Sequence, residues 1–224
     1  MLRVIILVND YKLYFEQFKS FENWDHREFS IHPYKDAISI ASGYNSAVKS
    51  LQHSSLEDVL CFIHQDARLL FDAPKIIPLY MDHLDKPGIL GFCGSSNHVP
   101  GNQWWQCKPC YGSLIQGQGN EAKPLYFSDC PQALSDMPDL HFAEVQTIDG
   151  FCLFVRRNVF NAIDGFNEAY GGWHCYDIDI CMRAIKTGYK NYVINQPSQH
   201  FSWGSSGPDL DRSLRFFAEN WRKP

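Results

Sequence analysis

The chain alternates continuous apolar runs with stretches in which apolar residues recur at helical spacing. The first run, "RVIILV", is followed by four aromatic residues at i, i+3, i+4 and i+7: Tyr11, Tyr14, Phe15 and Phe18. This spacing places them on one face of a helix. Continuous apolar runs of this length are typical of strands that are buried on both faces. The start of the chain therefore predicts a strand followed by a helix.

The same alternation continues along the next fifty residues. A second helical stripe consists of Ile40, Tyr44, Ala47, Val48 and Leu51. It leads to the apolar strand "DVLCFIH", and a third predicted helix, with Pro74 in its first turn, leads to the short strand "GILGF". Such alternation favours an α/β fold with a mostly parallel central sheet, helices on both faces and ligands beyond the carboxyl ends of the strands.

The second part of the chain is less regular. From Cys93 to about Leu140 the pattern changes to Gly, Trp, Pro and Ser, and this stretch is too long for a simple connection. We expect a functional loop or an irregular extension there. After it, "EVQTIDGFCLFVRR" predicts a strand interrupted by Gly150, and a helix, a loop, a second helix and a strand follow. We expect one domain over residues 1–224, with two halves at about 1–92 and about 93–224.

Composition and charge exclude several classes of protein. Hydrophobic residues make up 45% of the chain and charged residues 20%, which is the balance of a soluble globular protein. The net charge of -5 provides no basic field for nucleic acid, so we expect no nucleic-acid partner. The opening apolar run is too short for a membrane span or a signal peptide. Eight scattered cysteines then favour a reduced, cytoplasmic protein, with Cys107 and Cys110 as loop cysteines rather than zinc ligands.

Two predicted strand ends carry residues that can bind a cation. The run "DVLCFIHQDARLL" leads from a strand directly into His64, Gln65 and Asp66, and an unpaired buried carboxylate there would cost several kcal/mol. His200 follows the last predicted strand, in "QHFSWGSSG". If Asp66 and His200 converge, carboxylate and imidazole together with phosphate oxygens would suit Mn²⁺ or Mg²⁺. The sequence therefore predicts a divalent cation site at the sheet edge.

A third candidate lies at the start of the helix in "GGWHCYDIDICMRAIKTGYK". Asp177 and Asp179 fall in the first turn, where the helix dipole favours carboxylates. Asp179 stands four residues before Arg183, which predicts an ordinary helix ion pair. Asp177 follows a Gly-rich loop that contains Trp173 and His174. Flat aromatic faces and a carboxylate acceptor suit a sugar, although such aromatics are also common as loop anchors.

Over its whole length the chain resembles the family 2-like glycosyltransferases of the GT-A fold. Asp66 of "IHQDARL" falls at the last acid of their DxD-type motif, and "TIDGFCLFVRRNVF" looks like their acceptor-side strand. The run "GFNEAYGGWHCYDIDICMRAIKTGYK" resembles their "GFDE…EDxDLCLRAxxxGY" block, closest to a subgroup written "GWHxYDxD". His64 and Tyr176 stand where the family usually carries acids.

This resemblance implies an enzyme that moves a sugar from a nucleotide-diphospho sugar, UDP-sugar favoured, to a glycan or lipid-linked glycan acceptor. Asp177 would be the general base of an inverting hexosyl or N-acetylhexosaminyl transfer, and Asp66 and His200 would hold Mn²⁺ or Mg²⁺. The implied nucleotide-sugar pocket consists of Val8, Asn9, Asp10, Tyr44, Asn45, His64, Gln65 and Asp66. The implied acceptor side consists of Trp104, Trp105, Asp149, Gly150, Trp173 and His174.

Other interpretations remain open at this point. Asp10 could cap the first helix, and Asn45 could be an exposed helix residue. A nucleotidyltransferase or nucleotide-diphosphate hydrolase would also place a carboxylate and a divalent ion at a strand end. An inactive nucleotide-sugar or glycan-binding module would explain His64 and Tyr176. The family further implies polysaccharide biosynthesis and, without a membrane span, possible peripheral association with a membrane.

Overall fold

The computed structural model describes residues 1–51, 54–204 and 207–221. Within these ranges the helices are α1 (Tyr11–Phe18), α2 (Ile40–Ser50), α3 (Ala73–His83), α4 (Arg157–Ala162), α5 (Tyr176–Lys186) and α6 (Pro208–Trp221). The strands are β1 (Leu2–Val8), β2 (Phe29–Lys35), β3 (Val59–His64), β4 (Ala67–Leu69), β5 (Pro87–Gly91), β6 (Cys93–Ser95), β7 (Cys110–Gln116), β8 (Lys123–Ser128), β9 (Gln132–Leu134), β10 (Met137–Val145), β11 (Thr147–Ile148), β12 (Cys152–Arg156), β13 (Lys190–Ile194) and β14 (Ser198–His200). Helices flank a large central sheet, so the α/β fold class is confirmed.

The central sheet is mixed. Its strand order is β2-β1-β3-β12-β5-β13-β10-β9. The pairs β1–β2, β1–β3 and β5–β13 are parallel, but β12 runs antiparallel to β3 and β5, and β10 runs antiparallel to β13 and β9. The expectation of a mostly parallel sheet was therefore wrong. Strand β12 enters the middle of the sheet from the second half of the chain, and the alternation seen in the first half contains no signal for this.

The stretch from Cys93 to Leu140 is not an irregular extension, since it supplies strands to both sheets. A smaller sheet has the order β11-β6-β7-β14-β4, with β8 paired to β7. Buried and half-buried positions alternate along the whole of β7, and most of β8 is exposed. The sequence did not predict these strands because glycines and prolines interrupt the alternation of apolar and polar residues that identifies a strand.

Most other predicted elements are present. The structure confirms a strand and helix at the start, the helical stripes of α2 and α3, the strand interrupted at Gly150, and α5. Strand β2 was not predicted, because Pro33 and several exposed residues break its pattern. Its place at the edge of the sheet makes that proline tolerable.

Most of the aromatic stripe of α1 faces away from the core. Tyr11, Phe15 and Phe18 are 51%, 61% and 41% exposed, and Tyr14 packs against the core in a partly buried position. The most deeply buried residue of this helix is Gln17, whose side chain is fully buried. Within the described ranges, no helix is both long and apolar enough to cross a lipid bilayer.

The cysteines lie inside the protein. All eight are free thiols and all are buried. The sulfur atoms of Cys61 and Cys152, on neighbouring strands, are 3.8 Å apart. Cys107 and Cys110 are also buried, and their sulfurs contact backbone carbonyls of residues 103–107. Cys107 lies in the loop before β7 and Cys110 is the first residue of that strand, and both sulfurs pack against the backbone of this loop.

Candidate functional site

The turn after β3 presents Asp66 at the edge of both sheets. Strand β3 ends at His64, and β4 of the smaller sheet begins at Ala67, so Asp66 lies where the chain crosses from one sheet to the other. The buried amide of Gln17 donates hydrogen bonds to the carbonyls of His64 (2.6 Å) and Ala67 (2.9 Å). Helix α1 thus holds both ends of this turn, which keeps the Asp66 carboxylate in place.

Strand pairing brings His200 to the same place. In the antiparallel pair β4–β14, His200 lies opposite Ala67, and the backbone N–H of Phe201 donates to the carbonyl of Asp66 at 2.8 Å. The Asp66 Oδ1 atom is 3.5 Å from His200 Nε2 and 3.9 Å from His64 Nδ1. One donor atom from each of the three side chains fits within a span of 4.8 Å. The two predicted ligands are together, and His64 adds a third donor atom.

The electrostatics of this cluster favour an anionic Asp66. Burial alone would raise the pKa of Asp66, but hydrogen bonds from His200 and Ser202, with the nearby imidazoles, hold it well below its usual value. Burial and the neighbouring His200 lower the pKa of His64 to about 4. One carboxylate and two imidazoles match the oxygen and nitrogen donors that first-row divalent ions accept.

Asp177 lies at the start of α5, facing Gly150. Cys175 precedes the helix in a left-handed conformation (φ 64°), which turns the chain into the first helical residue. The N–H of Gly150 donates to Asp177 Oδ2 at 2.9 Å. Burial and the nearby carboxylate of Asp149 raise the pKa of Asp177 to about 7. A carboxylate with this pKa can take up a proton near neutral pH.

Asp149 is fixed by two hydrogen bonds. The indole N–H of Trp104 donates to Asp149 Oδ2 at 3.0 Å, and the N–H of Phe151 donates to Asp149 Oδ1 at 3.1 Å. Trp104 is 5% exposed and packs edge-on against Phe127 and Trp105. The charge that raises the pKa of Asp177 is therefore held rigidly in position.

These groups share one cavity of about 940 Å³. The predicted site residues that line it are Val8, Asn9, Tyr44, His64, Gln65, Asp66, Trp104, Trp105, Asp149, Gly150, Trp173, His174, Asp177 and His200. Trp105 and Trp173 are 44% and 47% exposed, so they can offer aromatic faces to a ligand. Gln65 accepts from the backbone N–H groups of Asn9 and Asp10, each at 3.0 Å, and so ties the two loops on this wall together.

Two predicted nucleotide-pocket residues do not line this cavity. The Asp10 carboxylate caps α1 by accepting from the N–H groups of Lys12 and Leu13. Asn45 is 8% exposed, and its amide donates to the carbonyl of Phe166 and to Glu168 and accepts from the N–H of Phe166. Because its polar atoms are all used, Asn45 fastens α2 to the loop before α5. It does not line this cavity, and it is not an exposed residue.

The predicted ion pair between Asp179 and Arg183 is absent from the described residues. Asp179 is 2% exposed and accepts from the hydroxyl of Tyr170 (3.3 Å) and the indole of Trp221 (2.8 Å). The Arg183 guanidinium instead donates to carbonyls of residues 163–165. Helix α6 covers Asp179 and removes it from the solvent-facing surface on which helix ion pairs form.

Sequence reasoning also missed several residues of the cavity wall, among them Lys35, Gln116, Phe127, Ser202 and Trp203. The Ser202 hydroxyl is 3.1 Å from His200 Nε2, and Trp203 is 62% exposed. Ser202 and Trp203 follow His200 closely in the sequence, and this proximity could have predicted their place in the cavity wall. Residues 205 and 206 of the same "QHFSWGSSG" segment lie outside the described ranges.

Comparisons with known proteins identify the family and the fold. Residues 3–209 match the sequence model of a family described as "Glycosyltransferase like family". The crystal structure of GalNAc-T7 with UDP, GalNAc and Mn²⁺ is similar at a TM-score of 0.57 and 11% identity, covering 99% of this chain and 48% of that one. Drosophila β1,4-galactosyltransferase 7 in complex with xylobiose is similar at a TM-score of 0.51 and 15% identity, covering 93% and 68%.

The chain thus spans about half the length of the GalNAc-T7 chain and about two thirds of the Drosophila chain. No curated protein sequence matches it. At these identities the likeness shows a common GT-A fold and nothing finer.

Proposed function

The chain belongs to the glycosyltransferase-like family, and from that premise we propose that it moves a sugar from a nucleotide-diphospho sugar to a hydroxyl of a glycan or glycolipid. UDP-sugars are the favoured donors, carrying a hexose or an N-acetylhexosamine. GalNAc-T7, which shares the fold, was crystallised with UDP, GalNAc and Mn²⁺, and this motivates the choice of donors to test.

One observation carries the proposal: a single cavity holds two kinds of chemistry that sugar transfer needs. One wall has the converging donor atoms of His64, Asp66 and His200. Another has Asp177, a carboxylate whose pKa is raised to about 7. The first suits a leaving diphosphate and the second suits an attacking hydroxyl. A pocket for binding alone would not need a carboxylate poised to titrate near neutral pH.

The three donor atoms suit Mn²⁺ or Mg²⁺, since carboxylate and imidazole ligands leave positions for the phosphate oxygens of a donor. His64, Asp66 and His200 would hold the ion. When bound, the ion would neutralise charge that develops on the leaving diphosphate. The β1–α1 loop and the turn after β3 would then form the wall beside the nucleotide. The backbone N–H of Asn9 in the loop donates to the Gln65 side chain in the turn.

Asp177 would act as the general base. Its carboxylate would accept the proton of the acceptor hydroxyl while the hydroxyl oxygen forms a bond to the anomeric carbon and the bond to the diphosphate breaks. Direct displacement of this kind inverts the anomeric centre. The N–H of Gly150, 2.9 Å from Asp177 Oδ2, fixes the orientation of the carboxylate.

Exposed aromatic side chains would bind the acceptor. Trp105 and Trp173 border the cavity with faces that fit the apolar C–H faces of sugar rings. Drosophila β1,4-galactosyltransferase 7, of the same fold, was crystallised with xylobiose, so short oligosaccharides are suitable first acceptors to test. We place the reaction in polysaccharide or glycolipid synthesis in the cytoplasm, with lipid-linked acceptors met at a membrane surface.

The test is an assay of the purified chain with a panel of UDP-, GDP- and CMP-sugars, with Mn²⁺ or Mg²⁺ and a panel of oligosaccharides. We expect intact nucleoside diphosphate and an extended acceptor as products. The variant Asp177→Asn should lose roughly 10²–10⁴-fold in rate, the usual contribution of a general base. Its affinity for the donor, measured by calorimetry, should not change.

The products distinguish the rival functions. Release of sugar phosphate and nucleoside monophosphate would identify a nucleotide-diphosphate hydrolase. Release of sugar phosphate with the nucleoside monophosphate group joined to the acceptor, rather than free, would identify a nucleotidyltransferase. Thermal stabilisation by a nucleotide sugar, without product on any acceptor, would identify a binding module. Each of these results would overturn the transferase proposal.

A further inference from the structure

Two residues of the cavity wall that are far apart in the sequence contact each other. They are His64 and Tyr176, the positions where the resemblance described above implies acids, and they lie 112 residues apart. In the structure, the Nε2 atom of His64 is 2.7 Å from the hydroxyl oxygen of Tyr176. A hydrogen bond therefore joins a candidate cation ligand to the residue that precedes the candidate base.

A second contact fixes the direction of this bond. The Tyr176 hydroxyl is also 2.9 Å from the carbonyl oxygen of Gly150, which can only accept. A phenol has one proton, and the Tyr176 proton is directed to Gly150. The hydroxyl oxygen must then accept from His64, so the ring proton of a neutral His64 lies on Nε2.

The opposite arrangement would lose the hydrogen bond to Gly150. If Tyr176 donated to His64, the hydroxyl lone pairs would face the carbonyl oxygen of Gly150 and leave that buried acceptor unsatisfied. The remaining ring proton would then lie on Nδ1 and face the Asp66 carboxylate. Asp66 Oδ1 is 3.9 Å from Nδ1, beyond hydrogen-bond distance, so this attraction does not replace the hydrogen bond lost at Gly150.

The packing leaves the Tyr176 hydroxyl no other position. Tyr176 is 3% exposed, and its ring packs against those of Tyr44 and Phe166. The hydroxyl lies so close to Gly150 that a side chain there would overlap it. The Tyr176 hydroxyl is therefore an acceptor built into a rigid wall.

We propose that Tyr176 is a positioning residue that holds His64 as the Nε2–H tautomer and presents the Nδ1 lone pair to the cation site shared with Asp66 and His200. The inference rests on the proposed function only for the role of that cation. Partners that orient a ligand histidine in this way typically contribute 10–100-fold to metal affinity.

The proposal gives one physical reason for both departures. A carboxylate at position 64 would have no tautomer to set. A histidine there needs an acceptor on its far nitrogen, and a neutral hydroxyl supplies it without placing a further negative charge beside Asp177. We therefore regard His64 and Tyr176 as a matched pair.

The decisive measurement is the tautomer of His64 in the metal-free full chain. Nitrogen-15 NMR of histidine-labelled protein at pH 8 reports which ring nitrogen carries the proton, and loss of the signal in His64→Gln assigns it. We expect the Nε2–H form in the wild type and a mixture of tautomers in Tyr176→Phe. Tyr192→Phe is the matched control, since Tyr192 is equally buried and its hydroxyl donates to the carbonyl of Asp85.

Calorimetric titration with Mn²⁺ gives a second readout. We expect Tyr176→Phe to weaken Mn²⁺ binding 10–100-fold and Tyr192→Phe to leave it unchanged. In a His64→Gln background, Tyr176→Phe should produce no further loss, because its effect passes through His64. Equal losses in both backgrounds would show a merely structural role.

A wild-type His64 that carries its proton on Nδ1 would overturn the proposal, as would a Tyr176→Phe variant with the tautomer and Mn²⁺ affinity of the wild type. Failure of the proposed function would look different. The protein would then transfer no sugar, while the tautomer of His64 and its dependence on Tyr176 would still be observed.

Discussion

Replacing Asp177 by asparagine should slow catalysis strongly and stabilise the protein, because it removes a buried carboxylate whose pKa is raised. Burial and the Asp149 carboxylate raise the pKa of Asp177 from its ordinary value of 3.8 to about 7. Between these values the native state binds more protons than the unfolded state. The free energy of unfolding contributed by this group therefore falls as the pH rises through that window.

The size of the stability effect follows from the shift in the pKa of Asp177. Each pKa unit is worth about 1.4 kcal/mol, so the full shift gives an upper limit of about 4 kcal/mol. Because the carboxylate borders an open cavity, we expect a gain of about 1–2 kcal/mol for Asp177→Asn at pH 8. At pH 4 both proteins have a neutral group at position 177, and the gain should vanish. Urea unfolding at the two pH values measures it.

The catalytic effect has its own pH signature. With a pKa of about 7 the base is ionised in about one molecule in ten at pH 6 and in about nine in ten at pH 8. The value of kcat/KM for the donor should rise accordingly and level off above pH 8. In Asp177→Asn the residual rate should lack this limb.

Asp149→Asn tests the electrostatic contribution to the raised pKa of Asp177. It removes the charge that raises the pKa of Asp177, and the amide oxygen can still accept from Trp104 or Phe151. We expect the midpoint of the pH profile to move to lower pH. A midpoint that stays near 7 in this variant, or an Asp177→Asn protein less stable than the wild type at pH 8, would refute the reasoning.

Three further variants test other parts of the site. Asp66→Ala should lose Mn²⁺ affinity in calorimetry while the protein remains folded; unchanged affinity would remove Asp66 from the cation site. Gly150→Ala should lower both the transfer rate and the free energy of unfolding, the latter by about 1–3 kcal/mol, because the added Cβ would overlap the Tyr176 hydroxyl. Asn45→Ala should cost about 1–3 kcal/mol in urea unfolding and leave donor affinity intact, since its amide bonds only the 166–168 loop. Weakened donor binding in this last variant would return Asn45 to the pocket.

Local patterns were sufficient for the elements that carry the site. The apolar run that ends at His64 predicts a strand, and a carboxylate just beyond it lies at the ligand edge of the sheet. The helical stripe after Tyr176 likewise predicts α5 and places Asp177 in its first turn. These predictions succeeded because strand and helix periodicity are properties of neighbouring residues.

Contacts between distant residues could not be obtained in this way. The position of His200 beside Asp66 depends on the register of β4 with β14, two strands of only three residues each. Asn45 was expected either to line the nucleotide-sugar pocket or to be an exposed helix residue, because its actual partners are more than 120 positions away. Asp179 lost its expected ion pair because Trp221, far along the chain, covers it. In each case tertiary packing overrides the local preference.

The burial of every cysteine has a practical consequence for studying this protein in motion. Thiol-specific dyes and spin labels react with solvent-exposed sulfur, so the eight native thiols should react only when the structure opens. A single cysteine introduced at an exposed cavity-wall position, such as Trp203→Cys, would then be labelled selectively on the natural background. A probe there would report whether the wall beside His200 moves when donor or cation binds. Slow reaction of the native thiols would report global opening in the same sample.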